Sequence, residues 1–325
     1  MSVLIFAESN NGKFKKSTLE AVYYGSKIAA QLNTECIALA DGSLDAAELS
    51  SLGKFGAAKV VTVKHDNLQH LDAKAYTYVI AEASKKVNAS VIVLSYNVTG
   101  KAVAANVAAK LNAGLVAGAI SLPDTTNGFV IKKSVFSGKA FAYFNIKTAT
   151  KVIGLTPNSF QAISIDATAT VEALDINVPA NQFSVTVKET IKSSGTISLT
   201  EAELVVSAGR GLKGPENWGM IEEMANILGA ATACSRPVAD IHWRPHGEHV
   251  GQTGITIRPN LYIAIGISGA IQHLAGVNQS KTIVVINTDK EAPFFKAADY
   301  GIVGDAFEVV PKLNEALKKY KASSH

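Results

Sequence analysis

Leu261-Tyr262-Ile263-Ala264-Ile265-Gly266-Ile267-Ser268-Gly269-Ala270-Ile271-Gln272-His273-Leu274-Ala275-Gly276 reads as a strand, a Gly/Ser turn and a helix. Leu261–Ile265 is apolar throughout, as a strand buried on both faces must be. Gly266, Ser268 and Gly269 break the run, and a helix over Ala270–Leu274 follows. Such a turn presents backbone N–H groups at a helix start, where the dipole favours an anion. Gly266 and Gly269 are expected to remove Cβ atoms where a phosphate approaches the backbone. A tight turn between two buried elements has the same pattern. The stretch is neither G-x-G-x-x-G nor a Walker loop, because no Gly-Lys-Ser/Thr follows.

The elements around this stretch repeat its logic. Glu203–Ser207 reads as a strand, Glu216–Leu228 as a helix and Ala230–Cys234 as a short strand. Lys281–Ile286 and Tyr300–Val303 read as strands, and Phe307–Lys319 as a last helix. Strands alternating with helices imply crossover units and a parallel sheet. Two further loops carry glycine. Ser207 to Gly214 sets Arg210 at a strand end, and Val250-Gly251-Gln252-Thr253-Gly254 offers donors and acceptors. Either alone is equally a surface turn. Three such loops in one α/β domain point to a nucleotide site.

The N-terminal part has its own α/β series. Strands are expected at Val3–Ala7, Cys36–Ala40, Lys59–Val63 and Val91–Ser95. Helices are expected at Ser17–Leu32, Leu44–Lys54, Ala73–Val87 and Lys101–Asn112. Ser17 followed by Glu20 suggests a capping box for the first helix. From Leu115 the pattern turns to strands: Ala117–Leu122, Val130–Phe136, Lys139–Asn145, Val152–Thr156, Val171–Ile176 and Phe183–Val187. Lys192-Ser193-Ser194-Gly195-Thr196 is a polar linker and the expected boundary. The fold class is therefore α/β. An N-terminal α/β domain, 1–195, has a parallel sheet with added antiparallel strands. A C-terminal Rossmann-like domain, 200–325, has a parallel sheet.

Composition excludes several classes. With 47% hydrophobic and 18% charged residues the chain is globular rather than disordered. Aromatics are only 7%, so Ala, Val and Ile must fill the core. A net charge of +4 with no Lys/Arg run interleaved with aromatics argues against nucleic-acid binding. Cys36 and Cys234 lie too far apart for metal-type spacing, which fits a reducing compartment. No apolar run reaches the roughly 18–20 residues of a spanning helix, so no membrane insertion is expected. Strand-like residues begin directly after Met1-Ser2, so no signal or transit peptide is expected.

Several segments together resemble the FAD domain of electron-transfer flavoprotein alpha subunits. They are Ser207 to Lys213, Ala233-Cys234-Ser235-Arg236, Val250 to Gly254, Gly266 to Gly276, Ile283 to Asn287, Glu291-Ala292-Pro293 and Ala298 to Asp305. They follow in order through most of Leu204–Ala316. The first ~190 residues resemble the family's N-terminal domain more weakly, as in Val3–Glu8.

The resemblance implies one non-covalent FAD and a role for each position. Arg236 would lie against the isoalloxazine ring, Thr253 near flavin N5, and His273 as a donor to the N1/C2-oxygen edge. Ser268, Gly269, Ala270 and Gln272 would hold the ribityl–pyrophosphate region. Arg210, Ser235, Val250, Gly251, Gln252, Ile271, Asn287, Asp305 and Ala306 would complete the envelope, with Asn287 and Asp305 toward the adenosine. Read without the resemblance, His273 is rather a satisfied polar residue and Arg236 a partner of Asp240. The run His242-Trp243-Arg244-Pro245-His246-Gly247-Glu248-His249 carries more His and aromatic residues than the family pattern. It reads as a loop near the flavin rather than a metal site, since Pro245 and Gly247 break any fixed element.

The resemblance also implies an electron carrier without substrate turnover or catalytic residues, paired with a beta subunit. That partner would hold AMP, or a second FAD in a bifurcating form. Donors would be acyl-CoA and related dehydrogenases of fatty acid beta-oxidation. The acceptor would be a membrane quinone oxidoreductase reached by transient docking. The location would be cytoplasmic in a bacterium, or the mitochondrial matrix in a eukaryote. The competing readings are an NAD-dependent oxidoreductase or deacetylase on a related fold, and a non-redox nucleotide-binding protein.

Overall fold

The computed structural model describes residues 1–189 and 198–323. The expected linker Lys192–Thr196 lies outside the described residues. The chain forms two compact units, one of Met1–Val135 and Ala140–Lys192, the other of Phe136–Lys139 and Ser193–His325.

Among the described residues the first unit holds a nine-stranded sheet. Its order is Thr170–Ala173, Lys59–Val63, Glu35–Asp41, Ser2–Phe6, Ala89–Ser95, Lys151–Leu155, Gly114–Ala119, Val130–Val135 and Ala140–Asn145. The first seven run parallel, and the last two are added antiparallel. Burial follows from this. Val3 and Ile5 enter one core, Leu4, Ile92 and Leu94 the other, all fully buried. Each such side chain contributes about 1.5–3 kcal/mol. The antiparallel edge has one covered face at most, so Phe141, Tyr143 and Phe144 are exposed there.

Two segments differ from expectation. The first helix, Lys16–Gln31, starts after Lys15, which makes no side-chain cap, and no Ser17–Glu20 capping box forms. The Glu20 carboxylate is buried and instead accepts from Asn158 N–H at 2.8 Å. Phe183–Val187 joins no sheet. Asp72 captures the amides of Ser184 (2.6 Å) and Val185 (3.0 Å), which takes those donors away from any ladder.

The second unit, among the described residues, is built on a five-stranded parallel sheet. Its order is Ala231–Cys234, Leu204–Ala208, Leu261–Ile265, Thr282–Asn287 and Tyr300–Val303. The period of two sorts the side chains cleanly. Val206, Ala208, Ile263 and Ile265 face the helices Gly219–Leu228 and Ala306–Ser323. Val205, Tyr262, Ala264 and Val285 share the opposite core with Val277 and Phe294. The chain runs from Leu204–Ala208 outward to Ala231–Cys234, then returns to the other side at Leu261–Ile265. The strand order therefore reverses between Leu204–Ala208 and Leu261–Ile265, where open α/β sheets bind ligands at the carboxyl edge.

Candidate functional site

Four loops gather at that edge. Gly209 N–H donates to Ile265 O at 2.9 Å, and Gly211 N–H to Gly266 O at 3.2 Å. Val250 N–H reaches Cys234 O at 3.1 Å, and Gln252 N–H reaches Gln272 O at 2.7 Å. These backbone bonds fasten the loops after successive strands to one another. They leave a cleft of about 310 Å³ between them.

The cleft wall brings together Arg210, Ser235, Arg236, Val250, Gly251, Gln252, Thr253, Ser268, Ala270, Gln272 and His273. Gly266, expected beside a phosphate, joins them, as do Pro237, His249 and Ile267, none of which was expected to hold the cofactor. For His249 the signal was its place directly before Val250, at the end of the His-rich run. The residue is 8% exposed, and burial draws its pKa below the usual value, against the pull of Asp240.

Gly269, Ile271, Asn287, Asp305 and Ala306 are not part of this wall. Ile271 is 61% exposed, and Ala306 is buried as the first residue of the final helix. Asn287 spends its amide on Ile267 O (3.0 Å) and Asp289 N–H (3.0 Å). Asp305 accepts from Phe307 N–H at 2.9 Å, which fixes the start of the final helix.

Two of these glycines also allow close packing between loops. A Cβ on Gly266, where φ is +61°, would lie 2.9 Å from Gly211 Cα. A Cβ on Gly269, where φ is +82°, would lie 2.5 Å from Phe294 N. Both positions need glycine because backbone crosses backbone there.

Arg236 opens the short helix Arg236–Asp240 and pairs with Asp240, Nε to Oδ2, at 3.3 Å. Both side chains are more than half exposed, so the pair is weak and the guanidinium remains usable by a ligand. Among the described residues Arg210 has no ion pair. His273 differs. It is 7% exposed, and burial lowers its pKa to about 4, so the ring is neutral at pH 7. Nε2 lies 2.8 Å from Tyr262 Oη, while Nδ1 is buried with no hydrogen-bond partner. A buried polar atom without a partner costs about 1–3 kcal/mol, so a ligand that supplies one is favoured.

The His242–His249 run is held from within. Arg244 grips Glu248 with two bonds of 2.8 and 2.7 Å, reaches Glu222 at 2.6 Å, and lies over the Trp218 ring. Among the described residues no group of three or more His, Cys, Asp or Glu is placed to hold a metal ion. Cys36 and Cys234 are both buried, and burial pushes both thiols up to about 12. Among the described residues no helix is long and apolar enough to cross a membrane.

Comparison with known proteins agrees with this architecture. Residues 3–181 match the electron transfer flavoprotein domain, and residues 198–278 match the electron transfer flavoprotein FAD-binding domain. The electron transfer flavoprotein subunit alpha of Bacillus subtilis is 36% identical, covering 99% of each chain. That of Pseudomonas aeruginosa is 36% identical over 98% of this chain and 100% of its own. Protein FixB of Clostridium saccharobutylicum is 35% identical over 98% of this chain and 96% of its own. The cleft lies at the carboxyl edge of the sheet to which the matched FAD-binding segment contributes. The chain belongs to the electron transfer flavoprotein alpha-subunit family.

Proposed function

We propose that this chain holds one FAD in the cleft at the carboxyl edge of its second sheet and serves as an electron carrier. The single observation that carries the reading is the buried, unpartnered Nδ1 of a neutral His273 in the cleft wall. When bound, FAD supplies the capacity to accept and release electrons singly. Arg236 places a fixed charge at the cleft and stabilises added negative charge. His273 offers a hydrogen bond to the edge where that charge gathers. Thr253 and Gln252 supply polar contacts beside them. Ser235, Val250, Gly251, Ser268, Ala270 and Gln272 hold and orient the ring and chain. Arg210 would complete the envelope with its cation. Gly269, Ile271, Asn287, Asp305 and Ala306 belong to the same envelope in this reading, Asn287 and Asp305 toward the adenosine.

The division into 1–195 and 200–325 separates this FAD-binding part from an N-terminal domain in this proposal. The chain pairs with a beta subunit that carries AMP. It takes electrons from acyl-CoA and related flavin dehydrogenases and passes them to a quinone oxidoreductase by transient docking, without substrate turnover. Its place is the cytoplasm of a bacterium. The test is co-purification with the beta subunit, flavin counting and spectroelectrochemistry. One FAD per heterodimer is expected. Arg236→Ala is expected to lower the potential of the first electron, and an unchanged potential counts against its role. Two FAD per heterodimer indicates the bifurcating form. A colourless protein that binds NAD overturns the reading in favour of an oxidoreductase.

A further inference from the structure

Tyr262 is fully buried in the strand before the Gly266–Ala270 turn, on the sheet face shared with Phe294. Its hydroxyl meets His273 Nε2 at 2.8 Å. Ser207, on the neighbouring strand, lies beside the same phenol, and its buried hydroxyl forms no well-aligned hydrogen bond. Burial pushes the phenol well above its usual pKa, so it keeps its proton. The imidazole is neutral, so it carries one proton on one of its two nitrogens.

Two proton orders satisfy the 2.8 Å contact. In the first, the phenol donates to Nε2, and the ring proton sits on Nδ1. In the second, Nε2–H donates to the phenol oxygen, and Nδ1 is a bare acceptor. A flavin edge that gathers negative charge repels a bare acceptor and binds a donor. The Val250 backbone alongside also favours a proton on the ring, although no bond of acceptable geometry forms.

We propose that Tyr262 is a positioning residue: by donating to Nε2 it keeps the His273 proton on Nδ1, so that the imidazole meets the bound cofactor as a donor. The inference rests on FAD occupying the cleft and adds the residue that sets the donor's tautomer.

The test uses the full chain with its partner subunit and compares wild type, Tyr262→Phe, His273→Gln and the double variant. Tyr262→Phe keeps the ring and removes only the hydroxyl. Nitrogen-15 NMR of the His273 imidazole in wild type is expected to show protonated Nδ1, before and after adding FAD. Tyr262→Phe is expected to lose that single tautomer, weaken FAD binding about tenfold and lower the first-electron potential. On the His273→Gln background the Tyr262→Phe change is expected to add nothing. A wild-type ring protonated at Nε2 overturns the inference. So does a Tyr262→Phe protein that only melts earlier, with tautomer and potential unchanged, while His273→Gln shifts the potential. If His273→Gln changes neither affinity nor potential, the flavin reading falls together with the inference.

Discussion

The carboxyl edges of the two sheets handle polar groups in opposite ways. At the first, Glu8 sits in a cleft of about 260 Å³ and is saturated by its own chain. Lys15 Nζ donates to it at 2.7 Å, Asn97 Nδ2 at 2.6 Å and Thr99 Oγ1 at 2.8 Å. At the second, the Nδ1 of His273 has no partner, and the Arg236–Asp240 pair is open to solvent. Both edges are concave and both follow parallel strands. The difference is satisfaction. A carboxylate whose acceptors are filled stabilises the fold, whereas a buried polar atom left without a partner favours a ligand.

The largest effect that sharpens this contrast concerns Gly269→Ala. A Cβ there meets the Phe294 backbone in a left-handed conformation, so a loss of about 3 kcal/mol or more is expected in urea unfolding. A near-neutral result would mean that the loops are not fastened as described.

The next effect is a pH dependence of stability. Folding lowers the His273 pKa from 6.5 to about 4. At pH 7 the folded ring is neutral and the unfolded one mostly so, and the residue contributes only a small slope. Below pH 6.5 the unfolded chain binds a proton that the folded chain refuses, so stability falls until about pH 4. The total is on the order of 3 kcal/mol. His249 shifts in the same direction. Denaturation at pH 7 and pH 4.5 measures the loss, and His273→Gln is expected to remove most of it.

Glu8→Gln probes the saturated edge. It is expected to cost the first unit about 1–2 kcal/mol and to leave flavin content and potential unchanged. A changed potential would break the contrast between the edges. The smallest stability effect is that of Arg236→Ala, within about 0.5 kcal/mol, because its ion pair is exposed. Its effect on the potential is the larger one.

Much of the fold was legible in the sequence. Apolar runs such as Leu261–Ile265 and Val91–Ser95 mark strands buried on both faces, and glycine marks their ends. Strand order was not legible, since it depends on contacts such as Ser2–Phe6 against Ala89–Ser95 across the chain. Long-range capture explains the local misses: Asn158 takes Glu20 from its capping box, and Asp72 holds Ser184 and Val185 off any ladder. In the cleft, the glycine loops and the family resemblance located most of the wall. His249 escaped because its burial comes from the turn folded over it. Tyr262 escaped because a tyrosine in an apolar strand looks like core until its hydroxyl is seen against His273.

The most direct measurement is a density map of the chain bound to its partner subunit in the presence of FAD. An isoalloxazine ring bounded by the Arg236 guanidinium on one side and His273 Nδ1 at its edge is expected. A cleft without flavin, or one filled by a different nucleotide while Arg236 stays on Asp240, would contradict it.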